Sequence, residues 1–345
     1  MSLESRIKSI SEIRNFLNQF LNHLNTGNPR FQDFDRVISM AEQKNSWFTQ
    51  ENIFNALNYW NKVLEESNVN QWLSRYSLNE NKNKTIGLVL AGNIPMVGFH
   101  DCLCCLLLGY KTKIKLSSKD NVLIPFFLNL WKETCNDLDF SFVEIIKDCD
   151  AVITTGSNNT ARYFEYYFKD IPHIIRKNRT SIAVINGNEK QEDLEKLAKD
   201  VFTYFGLGCR NVTQLLVPAD YNLNQLFESF LSYKDLIRHN KYANNYDYNK
   251  AIYLLNKDKF WDNNLILLKE SDNLYSAIGS LNVKFYKDQK EINTYISENI
   301  NDIQCIVSLN NEINGLETVP FGYTQKPELY NYSDGVDTIK FLLKI

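Results

Sequence analysis

Apolar positions recur at helical spacing through the first part of the chain. Between residues 1 and 80 they follow the three- and four-residue steps of amphipathic helices, as at Ile10, Ile13, Leu17 and Phe20, and Asn-rich breaks separate the runs. This pattern predicts a helical N-terminal segment over residues 1–80.

From Thr85 the pattern changes to short apolar runs that alternate with longer helical ones. The runs IGLVLAG, KTKIKLSS, FSFVEII and DAVITTGS are typical of strands, whereas the stretches between them have helical length and periodicity. Such alternation predicts a parallel sheet connected by right-handed crossovers.

A second stretch of the same kind follows and extends to about residue 310. The strand SIAVING leads into the charged amphipathic helix EDLEKLAKDVFTYF, which stops at Gly206-Leu207-Gly208 before the strand NVTQLLVP. The tail is rich in turn formers and ends in the strand-like TIKFLLKI. We predict an α/β fold with two parallel-sheet domains over 81–178 and 179–320, followed by a tail over 321–345.

Composition narrows the functional class. A chain of 345 residues with 44% apolar content can fill two domains, and a net charge of −3 without a Lys/Arg-rich run argues against a nucleic-acid partner. The N-terminus lacks the features of a signal peptide, and the apolar run from Ile94 to Leu108 is too short to span a bilayer, so we expect a cytoplasmic protein. The seven irregularly spaced cysteines predict reduced thiols and no metal centre.

Two segments place reactive side chains at junctions between predicted elements. In GLGCRN, glycines before Cys209 would let a substrate approach the backbone, although a cysteine that only packs as a small hydrophobe fits the same pattern. In LAGNIPM, Asn93 follows a strand where open sheets bind ligands, and its amide could stabilise an oxyanion. Asn93 followed by Pro95 is equally a good helix start.

Two further segments suit phosphate or nucleotide binding. The strand KTKIKLSSKD puts Lys111, Lys113 and Lys115 on one face, which is also typical of a charged sheet edge. In ITTGSNNTARYF a strand ends at Gly156-Ser157 and a helix opens, which suits a phosphate at a helix N-terminus, but the segment lacks a full G-x-G-x-x-G.

In this order, from Thr85 to Pro218, the four segments resemble the aldehyde dehydrogenase superfamily, and within it the acyl-CoA reductase family that includes the fatty-acid reductase subunit of bacterial luminescence operons. LAGNIPM resembles P-W-N-[FY]-P-L, KIKLSSKD resembles V-x-K-P-S-E, TTGS resembles F-T-G-S, and GLGCRN resembles the catalytic cysteine segment. The resemblance implies an aldehyde dehydrogenase-like fold, with a nicotinamide-cofactor domain over 81–178 and a catalytic domain over 179–320.

The resemblance also implies roles for individual residues. Cys209 is the expected nucleophile and Asn93 the expected oxyanion donor. The expected cofactor-binding residues are Lys115, Ser117, Ser118, Gly156 and Ser157.

Departures from the family pattern carry information. Hydrolytic members have E-L-G-G-K before the cysteine, and its Glu activates the deacylating water, whereas IIRKNRTS here puts Ile175 or Arg176 at that place. Without a general base a thioacyl intermediate persists for reduction, which favours a reductase. Ser118 with Lys119 replaces the Glu that prefers NAD, so we expect NADPH, with NADH as the alternative. The family motif E-E-x-F-G-P has no match in this sequence. LLKESDNLYSAIGS lies in about the corresponding region, and Glu270 is the acidic residue nearest to the place of the motif.

These observations predict NADPH-dependent reduction of a long-chain acyl-CoA or acyl thioester to the aldehyde. The alternatives are a hydrolytic NAD(P)-dependent aldehyde dehydrogenase and a non-catalytic acyl-binding or acyl-carrier scaffold. We also expect a homo-oligomer, and the family's luminescence members suggest an acyl-transferring partner protein.

Three further residues are candidates for supporting roles. A cation would favour the thiolate of an ordinary cysteine, whose pKa is about 8.5, and Arg210 and Arg176 are candidates unless they are solvated or salt-bridged. His100 is a candidate proton donor, with a helix–helix contact as its alternative role.

Overall fold

The computed structural model describes residues 3–22, 31–78, 84–156 and 158–345. The chain divides into two units, one formed by residues 1–178 together with 328–345 and the other by residues 179–327. The tail that the sequence predicted over 321–345 is therefore divided between them. None of the helices in the described ranges combines the length and the hydrophobicity of a membrane span.

The first unit begins with the predicted helices. They are α1 (Leu3–Asn22), α2 (Gln32–Lys44), α3 (Gln50–Val63) and α4 (Glu66–Leu73). On α1 the spacing of Ile10, Ile13, Leu17 and Phe20 aligns one apolar face, and all four side chains are buried. Phe20 packs edge-on against Phe34 of α2, with ring centroids 4.7 Å apart.

A five-stranded parallel sheet follows in the same unit. Its elements are β1 (Thr85–Val89), α5 (Phe99–Leu107), β2 (Lys111–Lys115), α6 (Leu123–Thr134), β3 (Phe140–Phe142), β4 (Ala151–Thr155), α7 (Asn158–Tyr167) and β5 (His173–Arg176). The strand order is β3-β2-β1-β4-β5, so the chain first adds strands on one side of β1 and then changes to the other side at β4.

The alternating lysines of β2 do not form a sheet edge, because β2 pairs with β1 on one side and β3 on the other. Thr112 and Ile114 face a buried layer. On the opposite face Lys113 Nζ donates to the backbone oxygens of Lys147 and Asp148 at 2.7 and 3.2 Å. Backbone carbonyls thus accept hydrogen bonds from Lys113, which the sheet-edge alternative would have left at the border of the sheet.

The second unit contains a six-stranded sheet. Its elements are β6 (Thr180–Val184), α8 (Gln191–Phe202), β7 (Val212–Pro218), α9 (Asn224–Phe230), α10 (Asn240–Asn256), β8 (Phe260–Asp262), β9 (Leu267–Glu270), β10 (Ser280–Tyr286), α11 (Gln289–Asn299) and β11 (Ile303–Val307), followed by the hairpin β12 (Glu312–Ile313) and β13 (Leu316–Glu317). The strand order is β11-β6-β7-β10-β9-β8, and every pair is parallel except β8 with β9.

The last segment of the chain forms a helix, α12 (Thr338–Leu342), where the sequence pattern suggested a strand. Asp337 caps it by accepting a hydrogen bond from the Lys340 N–H at 2.9 Å, and Ile339 and Leu342 share its buried face. An N-cap followed by apolar residues three apart favours a helix over a strand.

Hydrogen bonds from buried and half-buried aromatic side chains hold this last segment within the first unit. Trp72 Nε1 donates to the Tyr332 hydroxyl at 2.7 Å, and the hydroxyls of Tyr76 and Tyr332 lie 2.8 Å apart. The Tyr76 hydroxyl also donates to Asp337 at 3.1 Å. Trp72 is fully buried, so Tyr332 supplies an acceptor that water cannot replace.

Replacing Tyr332 with Phe should therefore lower the free energy of unfolding by about 1–3 kcal/mol, because it leaves the Trp72 N–H buried without its acceptor. Urea unfolding monitored by tryptophan fluorescence measures the change. Tyr330→Phe is the matched control, since its ring can still stack under the Arg75 guanidinium, and it should change the stability by less than about 0.5 kcal/mol. Equal losses in the two variants would contradict this role of Tyr332.

Candidate functional site

The carboxyl edge of the first sheet aligns the ends of three strands. Val89 pairs with Lys115 on one side and with Thr154 on the other. The order of strand addition reverses between β1 and β4, and open parallel sheets bind ligands at such a reversal. Lys115 Nζ donates to the backbone oxygen of Glu144 at 2.5 Å, which holds the ammonium near this edge.

The other predicted cofactor residues lie in the turns that follow these strands. Ser117 Oγ accepts a hydrogen bond from the Lys119 N–H at 3.2 Å, and Ser118 and Lys119 are exposed. Gly156 follows β4, and α7 begins two residues later. Ser157 lies outside the described residues. The cofactor roles of all these positions stay predictions.

The buried carboxylate of Asp120 organises the turns around this edge. It accepts a hydrogen bond from the Met96 N–H at 2.8 Å, and the N–H groups of Leu123 and Ile124 at the start of α6 act to lower its pKa. Burial raises the pKa of Asp120 to about 6. The Asp120 carboxylate therefore lies between the turn after β1 and the start of α6.

Close packing of two turns explains the glycine before Asn93. A Cβ on Gly92 would lie 2.6 Å from Ser117 Oγ and 3.0 Å from the Asp120 backbone nitrogen. Any larger residue would push the turn after β1 away from the turn after β2, which carries the candidate cofactor residues.

Asn93 is not the N-cap of a helix, contrary to one sequence interpretation. Helix α5 begins only at Phe99, and residues 93–98 form a turn in which Met96 has a φ of 57°. The hydrogen bond from Met96 to Asp120 holds this left-handed residue and delays the helix. Asn93 is half-buried, and its role as oxyanion donor stays a prediction.

Cys209 lies in the second unit, in a tight turn between α8 and β7, and is half-buried. The Asn211 N–H closes the turn by donating to the Gly208 oxygen at 3.0 Å. All seven cysteines fall within the described ranges, and each is a thiol rather than half of a disulfide. The expected reduced state is therefore what the structure has.

The side chain of Asn211 fixes this turn to the end of α8. Its Oδ1 accepts a hydrogen bond from the Gly208 N–H at 2.8 Å. Its Nδ2 donates to the backbone oxygens of Asp200, Val201 and Thr203 at 2.9, 3.3 and 2.8 Å. Asn211 is fully buried. One amide thus satisfies helix-end carbonyls and holds the backbone on one side of Cys209.

The chain reaches the turn through three consecutive left-handed residues. Tyr204, Phe205 and Gly206 have φ values of 57°, 57° and 77°, so α8 ends at Phe202, before the end of its predicted apolar pattern. Non-glycine residues in this region cost about 1–3 kcal/mol each, and such strain persists only where the surroundings enforce it. The Asn211 bonds to Asp200, Val201 and Thr203 provide that enforcement.

A second hydrogen-bonded group holds the Cys209 backbone from the sheet side. Ser181 Oγ donates to the Cys209 oxygen at 3.1 Å and lies 3.1 Å from Cys305 Sγ. Arg210 Nη1 donates to the same sulfur at 3.6 Å. Since the Ser181 proton is directed to Cys209, the Cys305 thiol must be the donor to Ser181. Arg210, the candidate cation for the Cys209 thiolate, thus contacts the sulfur of Cys305.

Asp200, near the end of α8, holds a loop that follows β13. Its carboxylate accepts hydrogen bonds from the Gly322 N–H at 2.6 Å, and from the N–H and hydroxyl of Thr324 at 3.1 and 2.8 Å. Burial raises the pKa of Asp200 to about 6. The end of α8 therefore connects the Cys209 turn and the 322–324 loop.

The segment that the sequence places in the E-E-x-F-G-P region is held through its backbone. Buried or half-buried side chains donate to five consecutive carbonyls, those of residues 271–275; the donors are Gln214, Tyr295, Asn282 (to two carbonyls) and Thr213. Glu270, the nearest acid, forms an ion pair with Lys259 at 2.5 Å. The segment is rigidly placed without the acidic motif.

His100 and Arg176 both have partners within the first unit. His100 Nε2 lies 2.9 Å from the Leu329 oxygen, so this nitrogen carries the proton, and burial lowers the pKa of the ring. Arg176 is buried in an ion pair with Asp101 and donates to Thr338 Oγ1 at 2.9 Å. The ion pair of Arg176 matches the salt-bridge alternative. His100 instead bonds to a turn residue, Leu329, although its ring also lies 5.6 Å from the ring of Trp72 on α4. Both catalytic roles stay predictions.

Sequence reasoning missed Asn211, Asp200, Ser181 and Cys305. Two of them left a signal. Asn211 follows directly in GLGCRN, and Asp200 stands three residues after Leu197 on the apolar face of its helix, where a carboxylate is unusual without partners. Ser181 and Cys305 are brought together by the pairing of β6 with β11, which is a long-range contact.

Comparison with known proteins shows the fold. No family model and no curated protein matches the sequence. Among solved structures, aldehyde dehydrogenase 21 from Physcomitrella patens, with its product succinate, matches with a TM-score of 0.68 at 12% identity and covers 100% of this chain and 84% of that chain. An aldehyde dehydrogenase from Mycobacterium tuberculosis with NAD+ matches with a TM-score of 0.65 at 10% identity over 93% of this chain and 77% of that chain.

A third structure, the aldehyde dehydrogenase KauB from Pseudomonas aeruginosa, matches with a TM-score of 0.66 at 12% identity and covers 93% of this chain and 76% of that chain. The predicted aldehyde dehydrogenase-like α/β fold is confirmed.

Replacing Asn211 with Ala should lower the free energy of unfolding by about 2–5 kcal/mol, because it removes four hydrogen bonds and leaves the buried Gly208 N–H without an acceptor. Denaturant unfolding measures the loss. Asn245→Ala is the control, since that side chain donates to the Lys241 carbonyl on the surface of α10, and it should stay within about 0.5 kcal/mol of wild type. A small loss in Asn211→Ala would contradict its anchoring role.

Asp200 should make stability pH-dependent. Its pKa is about 6 when folded and about 3.8 when unfolded, so between these values the folded state binds more protons and stability falls as pH rises. The loss approaches about 3 kcal/mol above pH 6. Asp200→Asn should lack this component between pH 4 and 7, whereas Asp220→Asn, at an exposed site, should keep it. Identical pH dependences for Asp200→Asn and wild type would refute the assignment.

Proposed function

We propose that this protein reduces an acyl thioester, with a long-chain acyl-CoA as the favoured substrate, to the aldehyde. Cys209 carries the acyl group, and a nicotinamide nucleotide bound by the first unit is the reductant. The fold supports an oxidoreductase of aldehydes or their acyl derivatives, and the finer choice of reaction rests on one position in the chain.

That position corresponds to the Glu that activates the deacylating water in hydrolytic aldehyde dehydrogenases. The resemblance puts Ile175 or Arg176 there. Ile175 is aliphatic, and Arg176 is buried in its ion pair with Asp101, so neither can activate water. Because a positioned base commonly contributes about 10²–10⁴-fold, its absence slows hydrolysis of a thioacyl enzyme and leaves time for reduction.

In the proposed reaction the Cys209 thiolate attacks the thioester carbonyl, a new C–S bond forms, and CoA leaves as its thiolate. The resemblance assigns the oxyanion to the Asn93 amide and the Cys209 N–H. The reduced nicotinamide, when bound, supplies a hydride to the thioacyl carbon. Cys209 then leaves as the thiolate and the aldehyde is released. Overall, acyl-CoA, NADPH and a proton give aldehyde, CoA and NADP+.

The residues at the carboxyl edge of the first sheet fit such a nucleotide. The order of the parallel strands changes direction at this edge, which suits a nucleotide. The half-exposed Lys115 suits a ribose, and the amino end of α7 after Gly156 suits phosphates. Ser118 and Lys119 are exposed, while the adjacent Asp120 is buried and engaged with α6. A 2′-phosphate would therefore meet an ammonium rather than a carboxylate, which favours NADPH over NADH.

A second candidate is NAD(P)-dependent oxidation of an aldehyde to the acid. The solved structures with this fold favour it, because they are aldehyde dehydrogenases and some hold NAD+. That reaction passes through the same thioacyl enzyme but requires water activation by a base other than the missing Glu.

Intact-protein mass spectrometry with dodecanoyl-CoA should separate the candidates. We expect wild type to gain one acyl group, the adduct to last for minutes without cofactor, and NADPH to remove it faster than NADH, with release of dodecanal. Cys209→Ala should gain none, whereas Cys149→Ala, which removes another half-buried thiol, should behave as wild type.

Other outcomes identify the alternatives. An adduct that is lost rapidly without cofactor, as free acid, points to the hydrolytic enzyme. An adduct that persists with both reduced cofactors points to an acyl carrier. Absence of any adduct on wild type refutes acyl transfer to Cys209.

A further inference from the structure

The turn between β1 and α5 occupies residues for which the sequence alone favours a helix. Asn93 followed by Pro95 is a good helix start, yet α5 begins only at Phe99. Residues 93–98 form turns instead, and Met96 has a φ of 57°. A left-handed methionine is unfavourable by itself, so a contact from elsewhere in the fold must impose this turn.

That contact comes from the carboxylate of Asp120, which is buried and accepts a hydrogen bond from the Met96 N–H at 2.8 Å. In a helix that began at Asn93, the Asn93 side chain would accept from the second or third N–H of the helix. The second helical residue would be Pro95, which has no N–H, so the cap could bond only to Met96. The Asp120 carboxylate and the Asn93 cap therefore compete for one donor, and in the structure the carboxylate has it.

The turn that carries Asp120 is itself held by bonds that do not use its carboxylate. The Asp120 N–H donates to the Ser117 oxygen at 3.1 Å. Asn45, directly after α2, donates from its Nδ2 to the Lys119 oxygen at 3.2 Å. Asp120 therefore gives the turn over residues 93–98 an anchor that is fixed from the helical segment.

The choice between turn and helix decides what the Asn93 side chain does. As a helix cap, its oxygen would be committed to Met96, and the amide would be fixed beside the helix end. In the observed turn the Met96 N–H is already bonded to Asp120, so Asn93 is not needed as a cap.

We propose that Asp120 is a positioning residue for the reaction. It keeps residues 93–98 in the turn and so holds the Asn93 amide for the oxyanion that forms from the thioester. The inference rests on the proposed function for the role of Asn93, whereas the choice between turn and helix can be tested without turnover.

Acylation of Cys209 by dodecanoyl-CoA, followed by intact-protein mass spectrometry, tests this role. In Asp120→Ala the rate should fall about 100-fold, as expected when an oxyanion donor is displaced. Asp120→Asn keeps an oxygen that can accept from Met96 and should stay within about fivefold of wild type. The matched control is Asn121→Ala in the same turn, which removes a bond from Lys44 Nζ on the surface and should acylate as wild type.

A double-variant cycle separates positioning from a general loss of stability. If Asp120 acts through Asn93, adding Asp120→Ala to Asn93→Ala should slow acylation by less than about threefold more. A further loss of about 100-fold would overturn the proposal. Unchanged acylation in Asp120→Ala, or equal losses in Asp120→Ala and Asp120→Asn, would overturn it as well. Asp120→Ser, whose side chain is one bond shorter, is the second variant if Asp120→Ala fails to fold.

Crystal structures of wild type and Asp120→Ala test the turn without any reaction. In the variant, α5 should begin near Ile94, and Met96 should have a negative φ. A left-handed Met96 in an unchanged turn would contradict the proposal. A helix that begins near Ile94, together with no adduct on wild type, would uphold the hold of Asp120 on the turn and reject the proposed function.

Discussion

The buried amide of Asn211 holds together the part of the second unit on which the candidate chemistry depends. It accepts from the Gly208 N–H and donates to three carbonyls at and just beyond the end of α8, so the turn that carries Cys209 and the end of this helix move as one piece. A helix end normally leaves carbonyls to water or to a cap. Here the Asn211 side chain, two residues after Cys209, accounts for these carbonyls. The same amide therefore ends the helix and positions the candidate nucleophile.

Other contacts around the turn follow from this arrangement. The left-handed path through Tyr204 and Phe205 is unfavourable by itself, and it persists because both of its ends are fixed. Ser181 holds the Cys209 carbonyl from β6, and Asp200 extends the fixed region to the 322–324 loop. Burial disfavours the charged carboxylate of Asp200 and raises its pKa to about 6. Three hydrogen bonds from that loop offset part of this effect. Rigid placement of a strained turn is common at functional sites, where the surroundings must overrule local preference.

Local pattern predicted much of this molecule, and long-range contacts decided the rest. The alternation from Thr85 onward predicted parallel α/β sheets, because strand and helix periodicities are properties of short segments. The sheet-edge alternative for the lysines of β2 and the strand predicted at the end of the chain were wrong for the opposite reason. Whether β2 lies at an edge depends on β3, and whether the last residues form a helix depends on the Asp337 cap and on burial of Ile339 and Leu342. Cys305 could not be connected with Cys209 from sequence, since about a hundred residues and a strand pairing separate them.

We propose that a thioacyl group on Cys209 is resolved by reduction, because the resemblance puts an isoleucine or an ion-paired arginine where hydrolytic aldehyde dehydrogenases have their Glu. The stoichiometry of the steady-state reaction tests it most directly. With acyl-CoA and NADPH supplied together, we expect one NADPH to be oxidised and one aldehyde to form for every CoA thiol released, with no free acid. Release of CoA and acid without oxidation of NADPH would contradict it.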